Sequence, residues 1–333
     1  MNASIKAISI YLPKRKLSNN DLNREFPDWS AEKISSKTGI YNRNIANEEE
    51  TCGDMAVSAS EKLFNDYNID KTTIDFVLLC TQSPDYFLPT TACIVQYKLG
   101  LENTCGALDY NLGCSGYVYG LALAKGLILS GIANNVLLIT SESYSKYIHK
   151  DDKSNRTIFG DAASASLISK DSSGVIEKLA LGTDGSGAEN LIVKYGAAKY
   201  LHSKGESKYE NNNFLKNDSN LYMNGKEIFM FTSKAVPNLI EECLNINNLL
   251  LDEIDLFVFH QANSFMLDHI RRKIKIPKEK FYIYLEDVGN TVSSTIPIAL
   301  DHAIKNKKIR TGMNVLIAGF GVGYSYGATI IKY

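Results

Sequence analysis

Two strand-like sequence patterns each occur twice in this chain, and the two copies are separated by almost the same number of residues in both cases. IDFVLLCTQS begins at Ile74 and IDLFVFHQAN begins at Ile254, an offset of 180 residues. NVLLIT begins at Asn135 and NVLIAG begins at Asn314, an offset of 179 residues. Chance similarity between apolar strands is the alternative, but the shared Ile-Asp and Asn-Val starts favour duplication. Two independent matches at one spacing therefore constrain the chain to two similar units.

Each half alternates continuous apolar runs with helical patterns such as SFMLDHIRRKI, residues 264–274. The predicted strands are Phe76–Cys80, Ala107–Asn111, Val136–Thr140, Leu256–Phe259, Asn314–Ala318 and a last strand, SYGATIIKY, that ends the chain. Continuous apolar strands between helices are typical of sheets buried on both faces. We predict an α/β fold with an N-terminal half at 1–172 and a C-terminal half at 173–333. The polar segment 196–219 is expected to be a surface excursion.

The composition argues against several classes of partner. The 333 residues carry a net charge of −1, which gives no reason to expect nucleic acid or a membrane surface as a partner. The first residues, MNASIKAISIYLPKRK, lack the pattern of a signal peptide, and no apolar run approaches the roughly 18–20 residues of a spanning helix. The six cysteines are scattered without a CxxC pair, so we expect reduced thiols and a cytoplasmic protein.

One cysteine lies where a predicted strand passes into a predicted helix. Cys114, in DYNLGCSGYVYG, is flanked by the small residues Gly113, Ser115 and Gly116. At the start of a helix, unpaired N–H groups and the helix dipole favour the thiolate, which is the nucleophilic form of cysteine. Small neighbours also let a substrate approach the sulfur. Cys114 is therefore the candidate nucleophile, and a buried structural cysteine is the alternative.

Two further polar residues follow buried patterns in the second half. His260 ends a predicted strand in FVFHQAN, and α/β sheets bind their ligands beyond the carboxyl ends of strands. A structural histidine held by a backbone carbonyl is the alternative for His260. Asn290, in EDVGNTVSSTIPIAL, follows Gly289 and precedes a Ser/Thr run that opens a helix, so a helix cap is its alternative. Asn290 becomes a functional candidate if it faces Cys114 and His260.

The segment GFGVGYSYGATI, which begins at Gly319, is a glycine-rich turn between two predicted strands. A dinucleotide-binding fingerprint has to lead into a helix, so this segment is not one. A turn of this kind instead brings a backbone N–H close to a reacting carbonyl oxygen.

Cysteine, histidine and asparagine in this order also occur in papain-type proteases, but the papain-type cysteine lies near the mature N-terminus, and a duplicated α/β unit does not fit that class. The motifs GCSG, HQAN, GNT and GFGVGYSYGA together resemble the thiolase-fold condensing enzymes, most closely the β-ketoacyl-acyl-carrier-protein synthase III family. The resemblance covers essentially the whole chain, including KTGIYNRNIA, FLPTTACIVQ, IFGDAASASLI and MNGKEIF. It implies a thiolase-like fold in which duplicated βαβαβαββ halves form a five-layer αβαβα sandwich.

The resemblance also implies a reaction in two steps. Cys114 would take the acyl group of a primer thioester, on coenzyme A or acyl carrier protein, and malonyl-acyl carrier protein would then lose CO₂ and attack the acyl-enzyme. His260 and Asn290 match the pair that donates hydrogen bonds to the enolate oxygen, and the backbone N–H groups of Cys114 and Val322 match the oxyanion donors of acyl transfer. The family works without a metal or a further cofactor. It forms homodimers in which a partner loop, matched here by Leu88, lines the acyl pocket.

Three features depart from the family pattern. Val322 stands where the family usually has glycine. The tryptophan and the arginine that clamp the adenine of coenzyme A in the family match Lys33 and Lys153, whereas Trp29 and Arg156 lie out of register. A weakened clamp predicts that the primer arrives on a carrier protein or that coenzyme A binds differently.

The basic run RRKIKIPKEK begins with Arg271, Arg272 and Lys273. It is a candidate docking surface for the acidic acyl carrier protein, and a solvated helix face is the alternative.

Two other functions stay open: an acyltransferase of the same fold that acts on a hydroxyl or an amine, and a non-catalytic carrier-binding relative, which the intact Cys-His-Asn set disfavours. Malonyl-dependent CO₂ release separates the first two functions, and acylation of the cysteine separates both from the third. The length of the primer depends on how the pocket packs, which the sequence does not specify.

Overall fold

A computed structural model describes residues 2–170, 173–211 and 213–333. Within these residues the strands are β1 (Ala3–Tyr11), β2 (Arg15–Ser18), β3 (Asn42–Ile45), β4 (Phe76–Cys80), β5 (Gly106–Tyr110), β6 (Asn135–Glu142), β7 (Ala162–Lys170), β8 (Val175–Thr183), β9 (Leu191–Ile192), β10 (Lys208–Glu210), β11 (Asn213–Lys216), β12 (Tyr222–Met223), β13 (Leu256–Phe259), β14 (Asn314–Gly321) and β15 (Ser325–Lys332). The α-helices are α1 (Asn19–Glu25), α2 (Ala31–Thr38), α3 (Cys52–Tyr67), α4 (Thr91–Leu99), α5 (Gly116–Leu129), α6 (Lys153–Arg156), α7 (Gly225–Asn247), α8 (Ser264–Ile274) and α9 (Thr295–Lys305).

The large strands of the described residues are connected in the order β5-β4-β6-β7-β1-β8-β15-β14-β13. The two halves meet where β1 and β8 touch at the single pair Ser4–Val175. The first half contributes the order β5-β4-β6-β7-β1, and the second contributes β13-β14-β15-β8. An isolated parallel bridge between Phe257 and Phe281 stands in the second half where β5 stands in the first. The two halves therefore have the same topology, which confirms the prediction of a duplicated βαβαβαββ unit.

The helices and strands stack in five layers. On one outer side, α3 and α4 cover the strands of the first half, and on the other outer side α7 and α8 cover the strands of the second half. Between the two groups of strands lie α5 and α9, which contact strands of both halves. This order of layers confirms the predicted thiolase-like αβαβα sandwich.

Helix α5 is largely apolar because it meets strands of both halves, and Leu123 and Leu129 lie on a partly exposed stripe of it. Its one charged residue, Lys125, donates to the backbone oxygens of Ile176 and Glu177 at 2.6 and 2.9 Å. Gly120 makes the tight packing possible, because an added Cβ there would lie 2.2 Å from the Tyr110 hydroxyl and 2.5 Å from Cδ1 of Leu138. The close packing against β5 and β6 fixes the helix whose first turn directly follows the candidate nucleophile.

The bounds of β4, β13 and α8 are those that the sequence predicts. Strand β6 runs two residues further than predicted, to Glu142, and β14 runs on to Gly321. The described residues of the polar segment, 196–211 and 213–219, lie mostly at the surface as expected, and they include the paired strands β10 and β11. The boundary between the halves at residues 172 and 173 stays a prediction, and residue 172 lies outside the described residues. In the described part of the chain, no helix combines the length and the apolarity needed to cross a membrane.

Replacing Gly120 by valine should destabilise the protein, because the branched side chain would meet two fixed side chains in the middle layer. Overpacking of this kind costs about 1–3 kcal/mol. The control is Gly126→Ala in the same helix, where an added Cβ meets nothing within 4 Å, and this change should stabilise the protein by about 0.4–1 kcal/mol. Urea unfolding measures both effects, and equal stabilities of the two variants would contradict the tight packing of α5.

Candidate active site

Cys114 lies in the short connection between β5, which ends at Tyr110, and α5, which begins at Gly116. The side chain is buried. This is the strand-to-helix position that the sequence predicts. The thiol therefore sits at the N-terminus of a helix that is buried in the middle layer.

Glycines of β14 let its backbone pass directly against Cys114. A Cβ on Gly321 would lie 2.7 Å from both Cβ and Sγ of Cys114, and a Cβ on Gly319 would lie 2.7 Å from its backbone oxygen. Real Cβ atoms do not approach other atoms this closely, so a side chain at either position would displace the nucleophile. The first glycines of the predicted glycine-rich turn thus form one wall of the site.

Two backbone groups interact with the Cys114 sulfur: those of Val322 and of Cys114 itself. These hydrogen bonds lower the pKa of the thiol, but burial outweighs them and raises it to about 12. The thiol is therefore protonated at neutral pH. Val322 does not adopt a left-handed backbone conformation, so a valine in place of the family's glycine adds no backbone strain here.

His260 directly follows β13, and its backbone N–H donates to the oxygen of Ala318 on β14 at 2.8 Å. Its Nδ1 lies 2.7 Å from the Thr295 hydroxyl oxygen, which in turn lies 2.9 Å from the backbone oxygen of Val292. Burial lowers the pKa of His260 to about 3, so the imidazole is neutral at physiological pH. The Thr295 hydroxyl fixes the ring through Nδ1 and leaves Nε2 as the other functional nitrogen. Sequence reasoning did not single out Thr295.

Asn290 lies in a buried turn that packs against the segment 158–160. Its backbone N–H donates to Ile158 at 2.9 Å, and its backbone oxygen accepts from Gly160 at 3.0 Å. Its side-chain Oδ1 accepts from the backbone N–H of Val292 at 2.9 Å, so the amide nitrogen is the end that can donate to a ligand. Helix α9 begins five residues later with Ser294 at its N-cap position, so Asn290 does not cap that helix.

The turn after Asn290 is strained. Val292 is fully buried and has a φ of +55°, a left-handed conformation that a β-branched residue adopts at a cost of about 1–3 kcal/mol. The same residue supplies the N–H that anchors the Asn290 amide, and its carbonyl interacts with His260. The strain therefore falls on the residue that connects the two side chains.

The three predicted side chains are all buried, and the elements that carry them pack against one another. Cys114 lies against β14, and His260 is hydrogen-bonded to the same strand. The turn that follows Asn290 reaches the first turn of α5, because an added Cβ on Gly116 would lie 3.4 Å from Cβ of Ser293. The site is therefore formed where β13 and β14 end, as the sequence predicts for ligand-binding positions of an α/β sheet.

A cavity of about 820 Å³ lies next to Val322. It is lined by aromatic and aliphatic side chains together with a few polar groups, among them Gln82, Tyr144, Tyr147, Leu191, Leu221 and Val322. Its volume and its apolar lining are typical of small-molecule sites. Val322 lies in the cavity wall, and its backbone also interacts with the Cys114 sulfur, so the cavity ends close to this cysteine.

Leu88 does not line this cavity, although its neighbours Tyr86 and Phe87 in the same exposed loop do. Its side chain is 83% exposed and that of the neighbouring Phe87 is 78% exposed. Tyr97 on α4, at 82%, is a further large exposed side chain of this half. Large apolar side chains that are exposed together indicate a surface that another molecule covers.

The residues of the expected adenine clamp meet around Trp29. The ammonium groups of Lys33, Lys37 and Lys153 lie 5.5, 5.2 and 5.9 Å from the centre of the indole ring. Arg156 is held elsewhere, in ion pairs of 2.6 and 3.0 Å with Glu25. A single indole therefore carries three lysines within cation–π distance.

The three basic residues at the end of α8 are partly paired. Arg271 and Arg272 both bind Asp268, at 2.7 and 2.5 Å, and Lys273 donates to Ser233 at 3.2 Å. Arg272 and Lys273 are exposed, whereas Arg271 is only partly so. The positive charge that this helix end offers to a partner thus comes mainly from Arg272 and Lys273.

Sequence reasoning missed one buried acid beside the site, Glu142. It ends β6 two residues beyond the predicted strand and is fully buried. The signal in the sequence is an acidic residue directly after an apolar run, in NVLLITSES. Among the residues that the structure describes, no group of three or more His, Cys, Asp or Glu side chains is arranged to hold a metal ion.

A duplicated five-layer α/β fold with a buried cysteine at the start of a central helix, and with a buried histidine and a buried asparagine in its second half, is that of a thiolase-like condensing enzyme. Two family models match the sequence: 3-oxoacyl-[acyl-carrier-protein] synthase III over residues 108–185 and its C-terminal region over residues 244–333. The chain belongs to the β-ketoacyl-acyl-carrier-protein synthase III family, and it is an enzyme of the acyl-transferring, condensing type.

Individual relatives agree with this assignment over the whole length. The β-ketoacyl-acyl-carrier-protein synthase III of Clostridium perfringens is 37% identical over 332 residues, which cover 99% of each chain. That of Caldanaerobacter subterraneus is 35% identical and covers 99% of this chain and 98% of the relative. A crystal structure of a 3-oxoacyl-(acyl-carrier-protein) synthase III has a TM-score of 0.98 and 46% identity over 100% of both chains.

Proposed function

We propose that this enzyme condenses an acyl thioester primer with malonyl-acyl carrier protein through an acyl group carried on Cys114. The observation that carries the proposal is how the two neighbouring side chains are anchored. His260 is held through Nδ1 and Asn290 through Oδ1, so each has a nitrogen left to contact the substrate. Two nitrogen donors beside a nucleophile suit a reaction in which an enolate forms next to an acyl-enzyme.

In the proposed first step, the Cys114 sulfur attacks the thioester carbon of the primer. The bond between that carbon and the primer's carrier sulfur breaks, and the proton of the Cys114 thiol passes to the leaving thiol. The tetrahedral oxyanion is held by the backbone N–H groups of Cys114 and Val322. These groups already interact with the sulfur in the free enzyme, so they need little rearrangement.

In the proposed second step, the malonyl thioester loses CO₂ and its electrons move onto the thioester oxygen as an enolate. Nε2 of His260 and Nδ2 of Asn290 donate to this oxygen. The enolate carbon then attacks the carbonyl carbon of the acyl group, the bond to the Cys114 sulfur breaks, and the released thiolate takes up a proton from solvent. The step needs the proton of the neutral His260 on Nε2. The Thr295 hydroxyl, which donates to the Val292 carbonyl at 2.9 Å in the structure, therefore has to turn its proton towards Nδ1 for this step. The reaction as written uses no metal and no organic cofactor besides the thioester substrates.

A homodimer is part of the proposal, and Leu88 of one subunit is placed in the acyl pocket of the other. Two features support it: the exposed loop of Phe87 and Leu88, and strand β5, which is the end strand of the sheet in the described residues. Exposed strand edges and apolar loops are the surfaces through which subunits associate.

A cytoplasmic location is also proposed, and its support is the free state of all six cysteines.

We also propose that the primer arrives on acyl carrier protein and that Arg271, Arg272 and Lys273 help to dock this acidic partner. The support is the patch around Trp29, where Lys33, Lys37 and Lys153 already surround the indole. An adenine ring would have to displace these ammonium groups in order to stack there. Arg272 and Lys273 are exposed cations, and cations steer the association of acidic proteins.

Replacing Asn290 by alanine should separate the two chemical steps. Acylation uses the sulfur and backbone donors, so intact-mass spectrometry should still show an acyl adduct on the variant. Decarboxylation loses one side-chain donor at the enolate oxygen, which typically costs about 10²–10³ in rate, and CO₂ release from malonyl-acyl carrier protein should fall accordingly. Cys114→Ala is the control that should lose the adduct.

Unchanged CO₂ release in Asn290→Ala would contradict the enolate site. If the intact enzyme acylates Cys114 but decarboxylates no malonyl thioester, the acyl group goes to a hydroxyl or an amine instead. An adduct that survives Cys114→Ala would show that another residue is the nucleophile.

Light scattering should give a particle of twice the 36.9 kDa chain mass. Leu88→Glu places a charge in the proposed partner pocket, so it should slow acylation or shift the protein towards monomers. The matched control is Leu250→Glu, because Leu250 is also exposed, at 72%, but lies outside the proposed interface. A fully active monomer would contradict a shared pocket.

Acyl-acyl carrier protein should acylate Cys114 faster than the matching acyl-coenzyme A. Lys273→Glu should slow the carrier-protein reaction and leave the coenzyme A reaction unchanged, because only the former needs the cationic end of α8. Lys308→Glu, another exposed lysine, serves as the control for a general charge effect. Equal or faster use of acyl-coenzyme A would show that another surface holds the nucleotide.

A further inference from the structure

The buried carboxyl of Glu142 joins two walls of the site. Its Oε1 accepts from the Ser293 hydroxyl at 2.8 Å, and Ser293 belongs to the turn that carries Asn290. Its Oε2 accepts from the backbone N–H of Gln82 at 3.1 Å and from the Ser83 hydroxyl at 3.3 Å, both in the loop after β4. Gln82 lines the cavity. Glu142 therefore holds the turn of Asn290 against the cavity wall.

The ionisable groups that face Glu142 are all acids. They lie at the N-terminus of α3, in β4, in β5 and the connection after it, in the segment after β6 and directly before β7. These groups are Cys52, Cys80, Tyr110, Cys114, Tyr144, Tyr147 and Asp161. In the part of the chain that the structure describes, Glu142 forms no ion pair with a cation. A negative charge here has hydrogen-bond donors but no counterion.

Burial raises the pKa of Glu142 to about 8, although the hydrogen bonds from Ser293, Gln82 and Ser83 lower it. The ionised carboxylate of Glu142 in turn raises the pKa of the Cys114 thiol. Two negative charges in one buried site oppose each other, because neither is screened by water. The acylation step develops negative charge at the sulfur and at the oxyanion, so an ionised Glu142 opposes it.

We infer that Glu142 is a positioning residue that must carry its proton while Cys114 is acylated, so that its ionisation limits the first half-reaction at alkaline pH. This inference rests on the proposed function and deepens it. Glu142 does not touch the reacting atoms. It holds the turn of Asn290 in place, and it acts on the acylation step through its charge, which has to be absent during acyl transfer.

The test compares the acylation rate at pH 9 with that at pH 7 within each protein, measured by intact-mass spectrometry with a saturating acyl thioester. In Glu142→Gln the side chain keeps its shape and cannot ionise, so the rate should keep rising as more thiolate forms. In the wild type only about a tenth of Glu142 is protonated one pH unit above its pKa. The ratio of rates should therefore be about tenfold higher in Glu142→Gln than in the wild type. Glu241→Gln, at an exposed glutamate of α7, should have the wild-type ratio.

A second variant keeps the test decisive if Glu142→Gln fails to fold. Ser293→Ala removes a donor that favours the charged form of Glu142, so the pH at which the acylation rate stops rising should be higher in this variant than in the wild type. Equal ratios in Glu142→Gln and the wild type, or no shift in Ser293→Ala, would overturn the inference. A wild-type enzyme that forms no acyl adduct at any pH would instead overturn the proposed function.

Discussion

The close approach of β14 to Cys114 is the contact on which the site depends. Gly319 and Gly321 let the strand backbone reach a distance at which any side chain would collide with the cysteine. The same approach brings the backbone of Val322 to the sulfur and sets the position of β13, which pairs in parallel with β14. Because His260 directly follows β13, one strand fixes both the nucleophile's donors and the histidine.

The side chains around the sulfur are each held by the atom that the proposed reaction does not use. His260 is fixed at Nδ1 by Thr295, and Asn290 is fixed at Oδ1 by the N–H of Val292. Both anchors belong to the turn from Asn290 to Thr295, whose middle residue is in a strained conformation. The turn keeps this strained conformation because the buried contacts around it stabilise it. Because they are preorganised, the hydrogen-bond donors of these side chains already lie where negative charge develops during the proposed reaction.

The sequence predicted the parts of this arrangement that depend on local pattern. Apolar runs located β4 and β13, the strand-to-helix step located Cys114, and the end of a strand located His260. It could not show which groups contact each other across long distances in the chain. Thr295 looked like one of several residues in a Ser/Thr run, and Glu142 looked like the polar end of a strand. Their importance comes from contacts with residues 35 and 151 positions away, which only the packing of the two halves reveals. For the same reason, the sequence shows lysines near Trp29 as departures from the family motif and does not show that they form one patch.

The buried polar groups of the site share one electrostatic constraint. Burial keeps His260 neutral and the Cys114 thiol protonated, and it raises the pKa of Glu142 to about 8. The resting site is therefore close to uncharged at neutral pH although it contains several ionisable groups. An uncharged, apolar pocket favours loss of CO₂, because decarboxylation spreads the charge of a carboxylate into an enolate that two N–H donors can hold. A permanent cation beside the sulfur would make the thiolate easier to form, but it would also bind the malonyl carboxylate and hold it back from leaving. Neutral donors avoid that conflict, because their hydrogen bonds strengthen as charge reaches the enolate oxygen.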